Sequence, residues 1–273
     1  MLDNPRAPRV KAVAKLSQRG ARSETGLFLL EGPQAVAEAL AYRPQTIVEL
    51  YATPTVLERY ADIAATAVDA GVDVEFATEE VIDAMADTVT PQGIIAVCAQ
   101  FPTALKDVFE GRDGGAPQLV VILEEVRDPG NLGTIIRVAD AAGADAIIIT
   151  GRSVDLYNPK VVRSTTGSLF HLPISVDVEL DDVLVRARAA GLNILAADVK
   201  GDDLPGVAAD GTLAKPTAWL FGNEARGLTD ENLALVDRAV KVPIYGDAES
   251  MNLATAASVC IYQSAFAQRP SAL

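Results

Sequence analysis

The stretch VPIYGDAESMNLATAASVCIYQSAF, residues 242–266, combines a short apolar run, a polar loop and a long helix rich in small residues. The loop gathers glycine, two acidic residues, serine and asparagine between Ile244 and Leu253, a composition more typical of a site than of a core. In the helix, Leu253, Ala257 and Ile261 recur at four-residue spacing, which predicts one face packed against a core. A buried amphipathic helix with a solvated entry loop would explain the same pattern.

The composition describes a folded protein: 49% of the 273 residues are hydrophobic, enough for one large or two ordinary domains. No apolar run reaches membrane-spanning length and no apolar segment follows the charged N-terminus, so we expect a cytoplasmic protein. Cys98 and Cys260 lack CxxC spacing and are predicted to be buried free thiols. Because His171 is the single histidine, we predict neither a metal site nor a Ser-His catalytic arrangement.

The charge is unevenly distributed. The whole chain carries −14, whereas residues 1–22 carry +5, which leaves −19 for the remainder. A basic segment on an acidic body suits local phosphate contact, although a solubilising N-terminal helix would explain it equally well. The basic side chains of this segment are Arg6, Arg9, Lys11, Lys15, Arg19 and Arg22.

The first part of the chain alternates between helical and strand patterns, as in a compact α/β domain over residues 1–105. Predicted helices cover 9–19, 33–42, 56–70 and 81–85, and predicted strands cover 26–32, 46–53, 72–77 and 93–101. Residues 106–117 lose this periodicity and gather glycine, proline and charge, which predicts a linker before a second domain over 118–273.

The second domain opens with QLVVILEEV, an apolar run typical of a parallel strand covered on both faces. Further strands are predicted at 146–150, 169–176, 193–198, 217–222 and 239–244, and helices at 132–144, 158–166 and 181–191. Polar turns follow three of these strands, at 128–133, 222–227 and 245–252. Because the carboxyl ends of parallel strands meet at one edge of a sheet, we expect the three turns to form a ligand site.

The first of these turns, DPGNLGTIIR, is not a nucleotide-binding fingerprint, because it contains neither GxGxxG nor GxxxxGK[ST]. Its candidate functional groups are Asn131 and Arg137, although Arg137 would also be explained as a solvated helix residue. In the second turn, LFGNEARGL, Gly222 permits a close approach of a ligand to the main chain. Glu224 and Arg226 of that turn would also be explained as a surface ion pair.

Together the three turns resemble the motifs of the SpoU/TrmH family of RNA ribose 2′-O-methyltransferases. The family's N-x-G-x-x-x-R motif stands here as NLGTIIR, its second motif resembles LFGNEARGL, and its third resembles VPIYGDAESMNLATA. A looser likeness relates RGARSETGLFLLEGPQAVAEAL to the opening of the substrate-binding domain in rRNA-modifying members. The resemblance therefore suggests rRNA as the target.

The fold implied by the resemblance is α/β: a trefoil-knotted, parallel-sheet methyltransferase domain with a smaller N-terminal α/β RNA-binding domain. The resemblance also implies a homodimer formed through the knotted domain. Independently, the charge of segment 1–22 suggests that its six basic residues guide the RNA. The implied cofactor is S-adenosylmethionine, held by main-chain groups near Leu220, Gly222, Ile244, Leu253 and Ala254.

The implied catalytic residues are Arg137, Asn131, Glu224, Ser250 and Asn252. Because a guanidinium has a pKa above about 12, arginine is an awkward base, and we expect Arg137 to stabilise a developing alkoxide or the adjacent phosphate. The other four would orient Arg137 and the ribose.

Two positions depart from the family pattern: Ala254 stands where a second serine is usual and Met251 where leucine is usual. Alanine has no hydroxyl, so no side-chain role is expected at position 254. The alternative function is a non-catalytic RNA-binding or ribosome-assembly protein that retains the knotted fold.

Overall fold

Helices and strands alternate along most of the chain in a computed structural model, which describes residues 1–110 and 114–269. The elements up to residue 99 are α1 (Pro8–Ala14), α2 (Arg19–Thr25), β1 (Leu27–Glu31), α3 (Pro33–Tyr42), β2 (Ile47–Ala52), α4 (Pro54–Arg59), α5 (Ala61–Asp69), β3 (Val74–Phe76), α6 (Glu79–Met85) and β4 (Ile94–Ala99). The elements after residue 99 are α7 (Leu105–Val108), β5 (Leu119–Glu124), α8 (Pro129–Ala141), β6 (Ala146–Thr150), α9 (Pro159–Thr165), β7 (Ile174–Val178), α10 (Leu180–Ala189), β8 (Asn193–Asp203), α11 (Leu204–Ala209), β9 (Thr217–Phe221), α12 (Asp230–Ala234), β10 (Arg238–Lys241) and α13 (Leu253–Gln268).

The chain forms two compact units. The first contains residues 1–101 and 155–171, and the second contains residues 102–154 and the chain from Leu172 on. Of the predicted linker 106–117, residues 111–113 lie outside the described residues, and α7 covers its first positions.

The first unit is built on a four-stranded sheet in the order β1-β4-β2-β3. Strand β4 runs antiparallel to β1 and β2, whereas β2 and β3 run parallel. Helices α1 and α6 bury their apolar residues on one face of this sheet, where Val13 and Ile82 pack with Tyr51 and Val97.

Residues 155–171, which the sequence-based division places in the second domain, pack with the first unit. Arg163 of α9 donates to Glu31 at the end of β1 at 3.0 Å and to Asp87 at 2.9 Å. Asp155 accepts two hydrogen bonds from Arg22, at 2.6 and 2.9 Å. These partners are all far away in sequence, so a reading of local pattern could not assign the segment to the first unit.

The second unit is built on a six-stranded sheet in the order β10-β8-β9-β5-β6-β7, and every neighbouring pair is parallel. This confirms the predicted α/β class and parallel sheet. Strand β5 is central, and its residues from Leu119 to Leu123 are fully buried, as expected for a strand covered on both faces. The knot stays a prediction.

Side-chain hydrogen bonds hold the C-terminal part of helix α13. Near its C-terminus, the guanidinium of Arg269 donates to the carbonyls of Ala142 and Gly143, both at 2.6 Å, which lie just beyond α8. One turn earlier, Ser264 accepts a hydrogen bond from the indole of Trp219 on β9 at 2.9 Å. These bonds fix the C-terminal part of α13 against β9 and the end of α8.

Three predicted elements differ from the structure because the backbone is interrupted. The helix predicted at 9–19 ends early, and extended Gln18 separates α1 from α2. Tyr60 adopts a non-helical conformation and divides the predicted helix 56–70 into α4 and α5. The strand predicted at 169–176 begins only at Ile174, because a 3₁₀ turn over Ser168–Phe170 precedes Pro173, which has no N–H to donate.

Both cysteines are buried free thiols, as predicted. Burial raises the pKa of both, that of Cys260 to about 12. Within residues 1–110 and 114–269, none of the helices combines the length and apolar character needed to cross a membrane.

Candidate active site

A chain of side-chain hydrogen bonds joins the three polar turns of the second unit. The amide of Asn252 donates to Oδ1 of Asn131 at 2.9 Å, and the amide of Asn131 donates to Oε1 of Glu224 at 3.3 Å. Asn252 precedes α13, Asn131 lies in the first turn of α8, and Glu224 follows β9. The three turns therefore meet in one place.

Helix capping fixes two of these three residues. Asp128 caps α8 by accepting a hydrogen bond from the N–H of Asn131 at 2.8 Å, and Asn252 caps α13 by accepting from the N–H of Thr255 at 3.2 Å. A cap satisfies N–H groups that have no partner inside the helix. The side-chain oxygen of Asn252 forms the cap, so its side-chain nitrogen is the group that donates to Asn131.

Glu224 is held as an anion. Its carboxylate accepts from the backbone N–H of Asp128 at 2.9 Å and of Arg127 at 3.1 Å, besides the Asn131 amide. Partial burial would raise the pKa of Glu224, but these donors together bring it below its ordinary value. A carboxylate with three donors and a lowered pKa positions its neighbours and is a weak proton acceptor.

The turn after β9 is too tight for a side chain at its start. A Cβ on Gly222 would lie 2.6 Å from the carbonyl carbon of Gly227, so the two backbone segments meet directly. Asn223 then donates to the carbonyl of Glu125 at 2.8 Å and accepts from two N–H groups of its own turn. Glu125 has a positive φ of 54°, which is uncommon outside glycine.

Sequence reasoning missed Asn223 and Glu125. Asparagine directly after a strand-ending glycine favours this type of side-chain turn, and that signal was available for Asn223. Glu125 also pairs with Arg226 and, at 3.5 Å, with Arg127. The alternative explanation, a surface ion pair of Glu224 with Arg226, does not hold, because Glu224 accepts from backbone N–H groups of the first turn.

Arg137 and Ser250 are not part of this hydrogen-bond chain. Arg137 lies on the exposed side of α8, and its side chain forms no hydrogen bond or ion pair with any other described residue. Ser250 lies in the exposed stretch before α13, and its hydroxyl likewise has no partner among residues 1–110 and 114–269. Both side chains are free to contact a molecule that binds at this edge.

A crevice of about 380 Å³ lies between the end of β8 and the segment 242–249. Its apolar wall is formed by Val199, Val242, Pro243 and Ile244. Asp203, which pairs with Lys241 at 3.5 Å, adds a carboxylate. Glu249 adds a second carboxylate. Apolar walls, carboxylates and irregular backbone fit a nucleoside cofactor, whose base needs flat apolar contact and whose ribose offers hydroxyl donors.

Of the five predicted cofactor contacts, only Ile244 lines this crevice. Leu220 lies within β9, paired with Ile122 and Ala196 in the neighbouring strands. The strand ends at Phe221, so Gly222 is the first residue beyond it. Leu253 and the buried Ala254 form the first turn of α13. Contacts from Gly222, Leu253 and Ala254 stay predictions.

The predicted RNA-binding set contains one residue that cannot serve. Arg22 is 2% exposed, and besides Asp155 it donates to the carbonyls of Leu16 and Ser17, both at 2.8 Å. Its charge is neutralised inside the first unit, so that part of the prediction is wrong.

Arg9 is only partly available. It donates to Glu75 at 2.5 Å and to Glu49 at 3.3 Å, and lies 5.0 Å from the centre of the Tyr51 ring. The other members of the set are exposed: Arg6, Lys11, Lys15 and Arg19.

Within the described part of the chain, no group of three or more His, Cys, Asp or Glu side chains is arranged to hold a metal ion.

We expect Glu224→Gln to lower the rate of the reaction at this site roughly tenfold, less than the ~100-fold that a 1 Å displacement costs. An amide oxygen accepts less strongly than a carboxylate, and the added NH₂ faces two N–H donors. The pKa of Glu224 is lower in the folded chain than in the unfolded chain. The hydrogen bonds that Glu224 accepts therefore stabilise the natural protein fully above the pKa of the unfolded state, and this stabilisation is lost as the pH falls through the pKa of the folded state.

Rates measured from neutral pH down to below the ordinary carboxyl pKa would test this effect, with Glu231→Gln on α12 as the control. Equal rates for the Glu224 and Glu231 variants would contradict a positioning role for Glu224.

Two family models match the chain. The model described as "SpoU rRNA Methylase family" matches residues 118–262, and the model described as "RNA 2'-O ribose methyltransferase substrate binding" matches residues 29–104. Each match falls on one side of the predicted linker.

Among curated proteins, the chain is 31% identical to a 23S rRNA (guanosine(2553)-2'-O)-methyltransferase, RlmP, of Bacillus subtilis, over 96% of this chain and 97% of that protein. It is 32% identical to a 23S rRNA (uridine(2479)-2'-O)-methyltransferase of Streptomyces viridochromogenes, over 92% of this chain and 86% of that protein. A solved AdoMet-bound rRNA methyltransferase from Sinorhizobium meliloti superposes with a TM-score of 0.80 at 32% identity, covering 100% of this chain and 98% of that one.

Proposed function

Because this chain belongs to the SpoU rRNA methylase family, we propose that it transfers a methyl group from S-adenosylmethionine to a ribose 2′-hydroxyl of ribosomal RNA. The observation that carries this function is the hydrogen-bond chain Glu224–Asn131–Asn252. It brings together the three turns that resemble the family's motifs, each from a different part of the chain. The relatives named above, with 23S rRNA as their stated substrate, support an rRNA target.

The crevice beside Ile244 is the proposed cofactor site. When bound, S-adenosylmethionine supplies an electrophilic methyl group on a sulfonium. Val199, Val242 and Ile244 would pack against its apolar parts, and Asp203 would accept hydrogen bonds from its ribose. Gly222, Leu253 and Ala254 would contribute main-chain contacts.

Arg137 is the proposed catalytic residue. Its guanidinium stays charged at neutral pH, so it stabilises negative charge on the 2′-oxygen or on the neighbouring phosphate. The hydroxyl proton leaves to solvent as the oxygen takes the methyl group. Asn131, Glu224 and Asn252 hold the starts of α8 and α13 in place, and Ser250 lies where its hydroxyl can reach the ribose. Much of the acceleration then comes from alignment of the reacting atoms.

Transfer of a radiolabelled methyl group to rRNA tests the proposed function directly. We expect label in rRNA at a ribose 2′-oxygen, mapped by comparing 2′-O-methyl positions in rRNA from cells with and without the protein. RNA binding without any transfer would support the non-catalytic assembly function instead.

We propose that the exposed basic residues of the first unit, Arg6, Lys11, Lys15 and Arg19, contact the rRNA backbone. The family model for substrate binding, which begins at residue 29, supports an RNA role for this part of the chain without reaching these residues. An rRNA substrate also supports the cytoplasm as the place of action.

We propose further that the second unit is knotted and forms a homodimer. Support for the dimer comes from α13, where Phe266 is 65% exposed and its ring centre lies 5.5 Å from that of Tyr262. A large apolar ring is seldom left in water when a partner surface is available. We expect light scattering to give a dimer mass for the natural chain and a lower mass for Phe266→Glu at the same concentration; a Tyr42→Glu control, also at an exposed aromatic, should leave the dimer intact.

A further inference from the structure

The first unit contains a crevice of about 440 Å³ that has no part in the site above. It lies beyond the carboxyl ends of β2 and β3, the two parallel strands of this unit. Strand β2 leads into it through Thr53, and β3 leads through a short turn to Glu79 at the start of α6. Ligands of open α/β sheets bind preferentially outside the carboxyl ends of parallel strands.

The floor of the crevice is backbone. Gly93 has a φ of +81°, and a Cβ there would lie 2.9 Å from Oγ1 of Thr53 and 3.2 Å from Cβ of Val56. The N–H of Thr53 donates to the carbonyl of Gly93 at 2.9 Å, which closes the floor between the end of β2 and the start of β4. A side chain at position 93 would therefore collide with Thr53, and the positive φ also favours glycine.

One wall of the crevice carries a ring and a guanidinium. The break between α4 and α5 places Tyr60 at this wall, and the guanidinium of Arg59 lies 5.4 Å from the centre of its ring. Aromatic rings and guanidinium planes are the groups on which unpaired nucleobases stack.

The facing wall carries two acids. Glu79 and Asp83 lie one turn apart on α6, so both side chains lie on the same helix face. Neither carboxylate forms a hydrogen bond or an ion pair with any other residue that the structure describes, and the same holds for the amide of Gln92 at the rim. These acceptors are available to a ligand.

The charge of the crevice selects against phosphate. Two carboxylates against one guanidinium leave a negative balance, which repels a phosphodiester and favours a neutral ring with N–H donors. Among nucleobases, guanine alone presents two adjacent donors on one edge, N1–H and the N2 amino group, which match the two oxygens of a carboxylate.

We infer that this crevice binds an unpaired guanine of the RNA substrate, stacked at Tyr60 and read by Glu79 and Asp83. The inference rests on the proposed function, because it deepens the recognition of that RNA. It makes the first unit a reader of one base as well as a surface for the RNA backbone.

Binding of labelled single-stranded RNA heptamers to the full chain tests this inference. The heptamers carry a central guanine, inosine or adenine; inosine lacks the N2 amino group. We expect guanine to bind roughly tenfold more tightly than inosine, as for the loss of part of a two-donor contact. The double variant E79Q/D83N is expected to bind guanine and inosine equally, whereas E80Q, at an exposed acid outside the crevice, keeps the preference.

Tyr60→Ala is expected to weaken guanine binding roughly tenfold, and Tyr60→Phe to restore it, because phenylalanine retains the stacking face. Thermal unfolding of each variant checks that the first unit remains folded. If E79Q/D83N keeps the natural preference for guanine, the inference is wrong, even where the chain methylates rRNA. If the natural chain transfers no methyl group to any rRNA, the proposed function fails instead, whichever base the heptamers favour.

Discussion

Arg137→Ala is expected to lower the methylation rate by about 10²–10³-fold, the usual cost of removing one group that stabilises transition-state charge. Affinity for S-adenosylmethionine should stay unchanged, because Arg137 is exposed on α8 and does not line the crevice beside Ile244. Single-turnover rates with saturating RNA and calorimetric cofactor binding would separate the two effects.

The matched control for Arg137 is Arg186→Ala, which removes an exposed arginine from the last turn of α10 and breaks only its ion pair with Asp182. Arg137→Lys keeps the charge but loses the planar fork, so we expect partial activity from it. A fully active Arg137→Ala enzyme would remove the catalytic assignment.

Arg22→Met is expected to destabilise the first unit by about 3–5 kcal/mol, the usual cost of breaking a buried ion pair from one side. Methionine fills much of the volume but leaves Asp155 and the carbonyls of Leu16 and Ser17 without their donor. Denaturant unfolding of the full chain, followed by a probe in the first unit, would measure the loss.

Arg19→Ala is the control, because Arg19 lies on the same helix and is exposed. We expect it to leave stability within about 0.5 kcal/mol but to weaken RNA binding and reduce its salt dependence. A stable Arg22→Met variant, or one whose only defect is a smaller salt slope, would show that Arg22 belongs to the RNA surface after all.

The sequence predicted the parallel sheet of the second unit well, because its strands are short, apolar and separated by glycine and polar turns. It also indicated Asn131, Glu224 and Asn252, since each follows a strand or opens a helix. What it could not predict depends on distant partners: Glu224 meets the backbone of Arg127 and Asp128, almost a hundred positions earlier. No periodicity records such a pairing.

In the basic segment 1–22, too, the sequence could not predict which side chains have distant partners. Six cations in 22 residues predict a positive surface, and five of them are exposed. Whether a given arginine faces water or an internal acid depends on the tertiary structure, and Arg22 has its acid at position 155. The helix breaks at Gln18 and Tyr60 were equally hidden, because neither residue is a strong helix breaker.

Because residues 155–171 pack with the first unit, the protein is difficult to divide into separate fragments. A fragment cut within 106–117 would carry Arg22 and Glu31 but lack Asp155 and Arg163, and so would strand a buried cation. The C-terminal fragment would carry Asp155 and Arg163 without the partners that they contact in the first unit. We therefore expect cleavage at the predicted linker to give two incomplete fragments. An N-terminal fragment that folds on its own would also need residues 155–171.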